Sequence, residues 1–439
     1  MTHHHGWLLV SAALSGCTGY GADPVDPAGD AGAGAVRVVW HSESPEGGGS
    51  FPVLTSMASD RDEAFAVTLA NAGGGTPDYN RSLWEISFAG PKPRVLSEEH
   101  SSDPRRLLAL SSGALYAVDV LTSNGSMGPT FQCQIASLSQ SDGAAKVLGG
   151  FSITPSQQFG NASPGCDPLG IAADGPDVFV AANIEYESWL DYVYAPNLGY
   201  YGGSQGRNSQ HLGEIRHFSA GGTGGPGNQI LAGRVFGGRL LKNDLLVDST
   251  SLYWVEANLS STSGSASWTG GALMTASRAG TGLAQIRAFG SDERPTGLAQ
   301  DGAYLYVSMA TGGFDSGQTA SASVSGCSIV QIKKQGYTSV TLASDPTQDC
   351  LDAGVDGSFL YFLTTKDASP FNTNAPPGQY TQHAVARIPL TESNVSVGAL
   401  STLRFNRSEL YVQRLYVGSS SVLVVDPLYL IEVPKAALP

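Results

Sequence analysis

The chain has 439 residues, long enough for two or three average domains, although all-β rings often exceed that average as a single unit. Only 14% of its residues are charged, against roughly 25% in typical proteins, and 55 are glycine, with short apolar runs set between stretches of Ser, Thr and Asn. A formal net charge of −14 argues against nucleic acid or an anionic membrane surface as the partner, since both need basic patches, and the composition is that of strands and turns, with no long stretch of helical period.

The chain opens with MTHHHGWLLVSAALSGC: a polar start, an apolar run from Trp7 to Leu14, then small residues. That is the order of a signal peptide, and the run is too short to span a bilayer. Leu14-Ser15-Gly16-Cys17 resembles the bacterial lipobox. The resemblance implies cleavage before Cys17, diacylation of its thiol and, with Thr18 rather than Asp next, delivery to the outer membrane. A plain secretory signal and a partial histidine tag over Met1–Trp7 are the alternatives, and the lack of Lys or Arg at the start leaves open whether Met1 is the natural initiator. Residues 1–16 are therefore expected to be a lipoprotein signal peptide, and residues 17–34, rich in Gly, Ala, Pro and Asp, a disordered tether. Asp23, Asp26 and Asp30 lack the spacing of a calcium loop.

From residue 35 one unit recurs. An apolar strand and a tight turn lead to a strand centred on an aromatic, as in RDEAFAVTLA (Phe65), SSGALYAVDV (Tyr116) and DGPDVFVAAN (Phe179). It returns at Tyr253, Tyr306 and Tyr361, and a last copy centres on Leu423. Asp-Gly pairs at Asp174-Gly175, Asp301-Gly302 and Asp356-Gly357 are expected to supply the positive φ of two-residue hairpin turns. A third strand follows in each copy (LWEISF, QCQIAS, GEIRHF, ALMTAS, SIVQIK, AVARIP, YLIEVP), then a weaker fourth such as PRVLS or SVTLA. Four antiparallel strands repeated at this spacing make a propeller blade. Seven copies predict an all-β, seven-bladed β-propeller over residues 35–439. The last copy lacks a fourth strand and AVRVVWHSE at 35–43 is a spare one, so the N-terminal strand is expected to complete the last blade and close the ring. LYWVEAN, LYVSMAT and LYFLTT resemble the YWTD-type and NHL-type propeller repeats, which implies the fold and carries over no catalytic residue.

The remaining cysteines are Cys133, Cys166, Cys327 and Cys350. Their repeat positions, a third-strand start and the start of the next blade, predict Cys133–Cys166 and Cys327–Cys350 disulfides in an exported protein. Free buried thiols or a metal site are the alternatives, although no CxxC spacing exists.

First-to-second strand turns are short, whereas six second-to-third connections are long, so one face is expected to be elaborated into a recognition surface. The longest connection, Asn183 to Gly213, carries Tyr186, Trp189, Tyr192, Tyr194, Tyr200 and Tyr201 with Glu185, Glu187 and Asp191. Such aromatics suit partner binding, by sugar stacking or protein docking, and equally suit packing the loop onto the propeller. His41, His100, His211 and His383 fall on the same face, with Glu43, Glu98 and Glu99 near them. No spacing among them matches a ligand motif, and neither an aspartate box nor a GxSxG elbow occurs. The expectation is a monomeric, lipid-anchored binding or scaffold module for an envelope protein or glycan, without cofactor or metal and meeting the membrane only through its lipid. The alternative is a metal-assisted hydrolase or lyase with its site near the channel mouth.

Overall fold

A computed structural model of the chain describes residues 26–27, 37–41, 53–60, 63–71, 79–87, 93–101, 106–125, 128–153, 165–183, 213–222, 224–234, 245–262, 265–311, 326–366, 381–397, 403–407, 414–426 and 429–438. Seven sheets of antiparallel strands follow one another along the chain. Blade one is Val53–Ser59, Glu63–Asn71, Tyr79–Ser87 and Arg94–Ser101, and blade two is Arg106–Ser111, Ala114–Gly125, Gly128–Leu138 and Ala145–Phe151. Blade three comprises Asp167–Asp174, Asp177–Asn183, Gly213–Ser219 and Asn228–Arg234; blade four comprises Leu245–Val247, Ser251–Thr262, Ser265–Ser277 and Ala284–Phe289. Blade five runs through Glu293–Gln300, Tyr304–Thr311, Gly326–Lys333 and Ser339–Asp345. Blade six has Gln348–Val355, Phe359–Lys366, Thr381–Pro389 and Leu403–Arg407. Blade seven takes Arg414–Val417, Ser421–Asp426 and Tyr429–Pro434 from the C-terminal end, and Arg37–His41 from the other.

That last pairing closes the ring as expected. Arg37 faces Glu432, Val38 faces Ile431, Trp40 faces Leu430 and His41 faces Tyr429. The Arg37 guanidinium also donates to Glu432 from Nε at 2.9 Å. Among the described residues, no helix is long and apolar enough to cross a membrane.

The core is divided among the blade interfaces. Each second strand is apolar on both sides, so alternate residues bury against alternate neighbours. In blade six, Leu360 and Phe362 pack against Tyr306 and Cys327 of blade five, while Tyr361 and Leu363 pack against Leu415 and Val424 of blade seven. The cluster of Leu54, Met57 and Ala66 with Leu423 and Leu430 joins blade one to blade seven, so the ring has no open interface. Bulges in the first strands add polar stitches. The registers shift between Leu54 and Ser56 and between Cys350 and Asp352. Past each bulge a side chain then reaches the next blade: Ser56 Oγ accepts from the Leu108 amide at 3.1 Å, and the fully buried Asp352 accepts from the Leu415 amide at 2.9 Å.

One expectation needs correcting. The Asp-Gly pairs are not uniform two-residue turns. Gly175 and Gly357 do take positive φ (57° and 89°), but Gly302 does not. What recurs is the aspartate: Asp248, Asp301 and Asp356 each accept backbone amides two and three residues on through Oδ1, so the carboxylate closes the turn whatever follows it. Within residues 17–34, Asp26–Pro27 pairs with Phe405 and Asn406 on the outer strand of blade six.

Candidate binding face

Antiparallel order sends the first-to-second and third-to-fourth turns to one face of the ring, and the second-to-third connections and blade crossovers to the other. The turn face is locked. The second oxygen of each turn aspartate accepts from the tyrosine five residues on: Tyr253 to Asp248 at 3.0 Å, Tyr306 to Asp301 at 2.6 Å and Tyr361 to Asp356 at 2.8 Å. A cation from the following blade joins two of these pairs. Lys334 Nζ lies 2.9 Å from Asp248 and 5.2 Å from the Tyr253 ring centre; Lys435 Nζ lies 2.5 Å from Asp356 and 4.9 Å from the Tyr361 ring. Arg278 fills the same place for blade three, bridging Asp174 and Asp177 over Phe179, while His217 bonds Asp177 at 2.8 Å. Burial works against ionisation of Asp356, but Lys435 and the amides of Phe359 and Ser358 outweigh it and hold its carboxyl down at about 2. Burial and the adjacent Asp248 carboxylate push Tyr253 up to about 12. These groups hold one another in place across neighbouring blades.

The loop face is built differently. Two of its long connections are β-hairpins that continue the blade ladders outward. In blade two the pairing runs on to Gly125 and Gly128, and in blade four to Thr262 and Ser265. These hairpins flank blade three. Leu121, on the blade-two hairpin, is 42% exposed and pairs with Gln132, while Leu259 pairs with Trp268 on the blade-four hairpin. Both disulfides are formed as expected, Cys133–Cys166 and Cys327–Cys350, with Cα atoms 5.6 and 4.8 Å apart; each ties a third strand to the next blade.

An ion cluster lies beneath this face between blades one and two. Arg81 Nε is 2.9 Å from Glu99 and its Nη1 is 3.0 Å from Asp119; Arg106 meets Asp119 through two nitrogens at 2.6 and 2.9 Å and Glu99 at 2.7 Å. Burial alone would lower the Arg106 pKa, yet its bonds to Asp119 and Glu99 raise it above its ordinary value. Sequence reading missed this cluster. The available signal was Asp119 interrupting the otherwise apolar LYAVDV, a charge that a two-sided buried strand accepts only with a partner.

The six aromatics proposed for partner contact, Tyr186, Trp189, Tyr192, Tyr194, Tyr200 and Tyr201, lie outside the described residues, as do Cys17, Glu43, Glu185, Glu187, Asp191 and His211. The remaining histidines occupy three blades without meeting across a ladder: His41 pairs with Tyr429, His100 with Asn80, and His383 with Thr365 and Phe405. Glu99 belongs to the ion cluster. Among the described residues no group of three His, Cys, Asp or Glu side chains is placed to hold a metal.

No protein-family model matches the sequence, and no curated protein does. Solved structures do resemble its backbone. Pyrococcus horikoshii acylaminoacyl peptidase aligns at 8% identity with a TM-score of 0.44, covering 85% of this chain and 49% of the peptidase, so the chain spans about half of that protein. Penicillium chrysogenum α-L-arabinanase complexed with arabinobiose aligns at 8% identity and a TM-score of 0.39, over 91% of this chain and 97% of its own. Saccharomyces cerevisiae Sqt1 aligns at 8% and 0.40, over 91% and 99%. Likenesses of this degree carry no argument about function, which rests on this chain's own residues.

Proposed function

We propose that the protein is a lipid-anchored module of the bacterial envelope that holds a protein or glycan partner on the loop face of a seven-bladed propeller. The observation that carries this reading is the asymmetry of the ring. One face carries the short first-to-second turns, and in blades four and six their carboxylates, phenols and ammonium groups satisfy one another. The other carries two projecting hairpins on either side of blade three, whose own connection is the longest in the chain. A rigid scaffold that presents variable connections on one side is the usual arrangement of a recognition surface. Tyr186, Trp189, Tyr192, Tyr194, Tyr200 and Tyr201 are its proposed contact residues. The YWTD/NHL-like repeat motifs, the Leu14–Cys17 lipobox resemblance and the two disulfides support an exported, monomeric scaffold attached to the outer membrane through Cys17.

Deleting residues 185–210 is expected to abolish capture of partner from envelope extract while leaving the melting temperature within a few degrees of the parent. Unchanged capture removes the binding reading. Palmitate labelling that survives Cys17→Ala removes the proposed anchor.

A further inference from the structure

The outer strand of every blade presents a row of backbone N–H and C=O groups that invites pairing with another chain. In four blades the third-to-fourth connection of the next blade leans across this edge. Gly143 of blade two lies against blade one, where a β-carbon would come within 2.5 Å of Ser97 Oγ. In blade three, the Gly224 amide donates to the Leu148 carbonyl of blade two at 3.1 Å, and Gly225 accepts from the Gly150 amide at 3.2 Å. Gly280 of blade four sits on the Ile230 carbonyl of blade three. The long connection of blade six sends the Asn394 amide to the Thr341 carbonyl of blade five at 2.9 Å, and Val395–Ser396 pairs in parallel with Ala343–Ser344.

Blade seven has no such connection to offer blade six. Its third strand ends at Pro434, and its fourth, Arg37–His41, arrives from the opposite end of the chain. Ring closure therefore leaves Leu403–Arg407 without a turn of the kind that covers those four edges. Asp26–Pro27 occupies that place, pairing antiparallel with Asn406 and Phe405. Its sequence suits a last strand, since Pro27 has no N–H to offer a further neighbour.

We propose that the segment around Asp26–Pro27 is the edge guard of blade six, and that without it Leu403–Arg407 pairs with the same strand of a second copy of this chain. An antiparallel edge is self-complementary about a two-fold axis, so two exposed copies form a closed dimer. The proposal is independent of the binding reading, and a Cys17→Ala background keeps any acyl group out of the measurement. In the full chain, replacing residues 24–30 with Gly and Ser of equal length is expected to convert monomer to dimer in sedimentation velocity. Of the adjacent Phe405 and Asn406 amides, which point to opposite sides of the strand, the one directed away from Thr381–Pro389 should lose its protection against hydrogen exchange when the replaced chain is diluted to monomer. A second variant, Asp26→Thr with Pro27→Val, keeps the guard but restores the missing donor; it is expected to self-associate through the guard strand itself. Monomeric behaviour of both variants, or equal exchange of that outward-facing amide with and without the guard, overturns the proposal.

Discussion

Lys435 shows how a single charge on the turn face is put to structural use. Its ammonium links blade seven to the Asp356 turn of blade six. The Asp356 carboxyl titrates at about 2 against an ordinary 3.8, a difference of at most about 2 kcal/mol that solvent screening of this half-exposed group reduces to about 1 kcal/mol. A lowered carboxylate pKa stabilises the fold at pH values above 3.8 and ceases to do so as pH falls through 2. Lys435→Met should therefore cost about 1 kcal/mol at pH 7, with parent and variant converging between pH 4 and pH 2. Denaturant titrations across that window measure it, and a pH-independent gap would mean that Lys435 acts through packing alone. The two kinds of ion pair separate by burial. Asp119→Ala leaves Arg81 and Arg106, 6% and 5% exposed, with the 40%-exposed Glu99 in place of their buried shared carboxylate and should cost roughly 3 kcal/mol. Arg94→Ala removes a pair whose guanidinium is 59% exposed and should cost under about 0.5 kcal/mol. Similar losses for the two would contradict the burial argument.

Between blades, the edge-guarding turns make a comparable distinction. Gly280 and Gly282 lie two residues apart in one turn, both with positive φ (78° and 67°). A β-carbon at Gly280 would lie 2.0 Å from the Ile230 carbonyl oxygen, whereas at Gly282 it would meet nothing within 4 Å. Gly282→Ala should cost only the left-handed strain of about 1–2 kcal/mol. Gly280→Ala should cost at least about 2 kcal/mol more by forcing the turn off the edge of blade three, and urea unfolding midpoints give the comparison. This level of structure was the least legible in the sequence. The aromatic second strands, the third strands and both disulfides could be read from local pattern because a two-sided buried strand must be apolar throughout its length. The turns of Gly143, Gly224 and Gly280 look like any glycine-rich loop, since the edge each covers lies some 50–75 residues away in the sequence. Leu403–Arg407, the fourth strand of blade six, escaped recognition because a long connection separates it from its third strand. The Asp-to-Tyr spacing of five residues stood in plain view three times. Reading the following glycine as the turn signal hid the carboxylate that actually closes the turn.

For the whole molecule, the ring turns an accident of chain order into a testable geometry. Blade seven is made from both ends, and its last ladder runs from Arg37↔Glu432 to His41↔Tyr429. Arg37–His41 thus begins at the turn face, beside the end of Tyr429–Pro434, where a third-to-fourth turn stands in the other blades. Cutting the chain after residue 43 and rejoining residues 36–43 to Pro439 through a short glycine-containing linker should preserve the fold and its melting temperature to within a few degrees. Simple deletion of the strand should expose Tyr429–Pro434 and drive aggregation. The permuted chain carries a second consequence. Its new turn in blade seven lies where the Asp26–Pro27 guard now sits, so it should keep the Leu403–Arg407 edge covered and the protein monomeric although residues 1–35 are gone. Sedimentation and circular dichroism on the permutant and the deletion decide both points. A permutant that folds but dimerises would show that a turn alone cannot guard the edge, and one that fails to fold would mean that closure of the ring depends on chain order as well as on strand pairing.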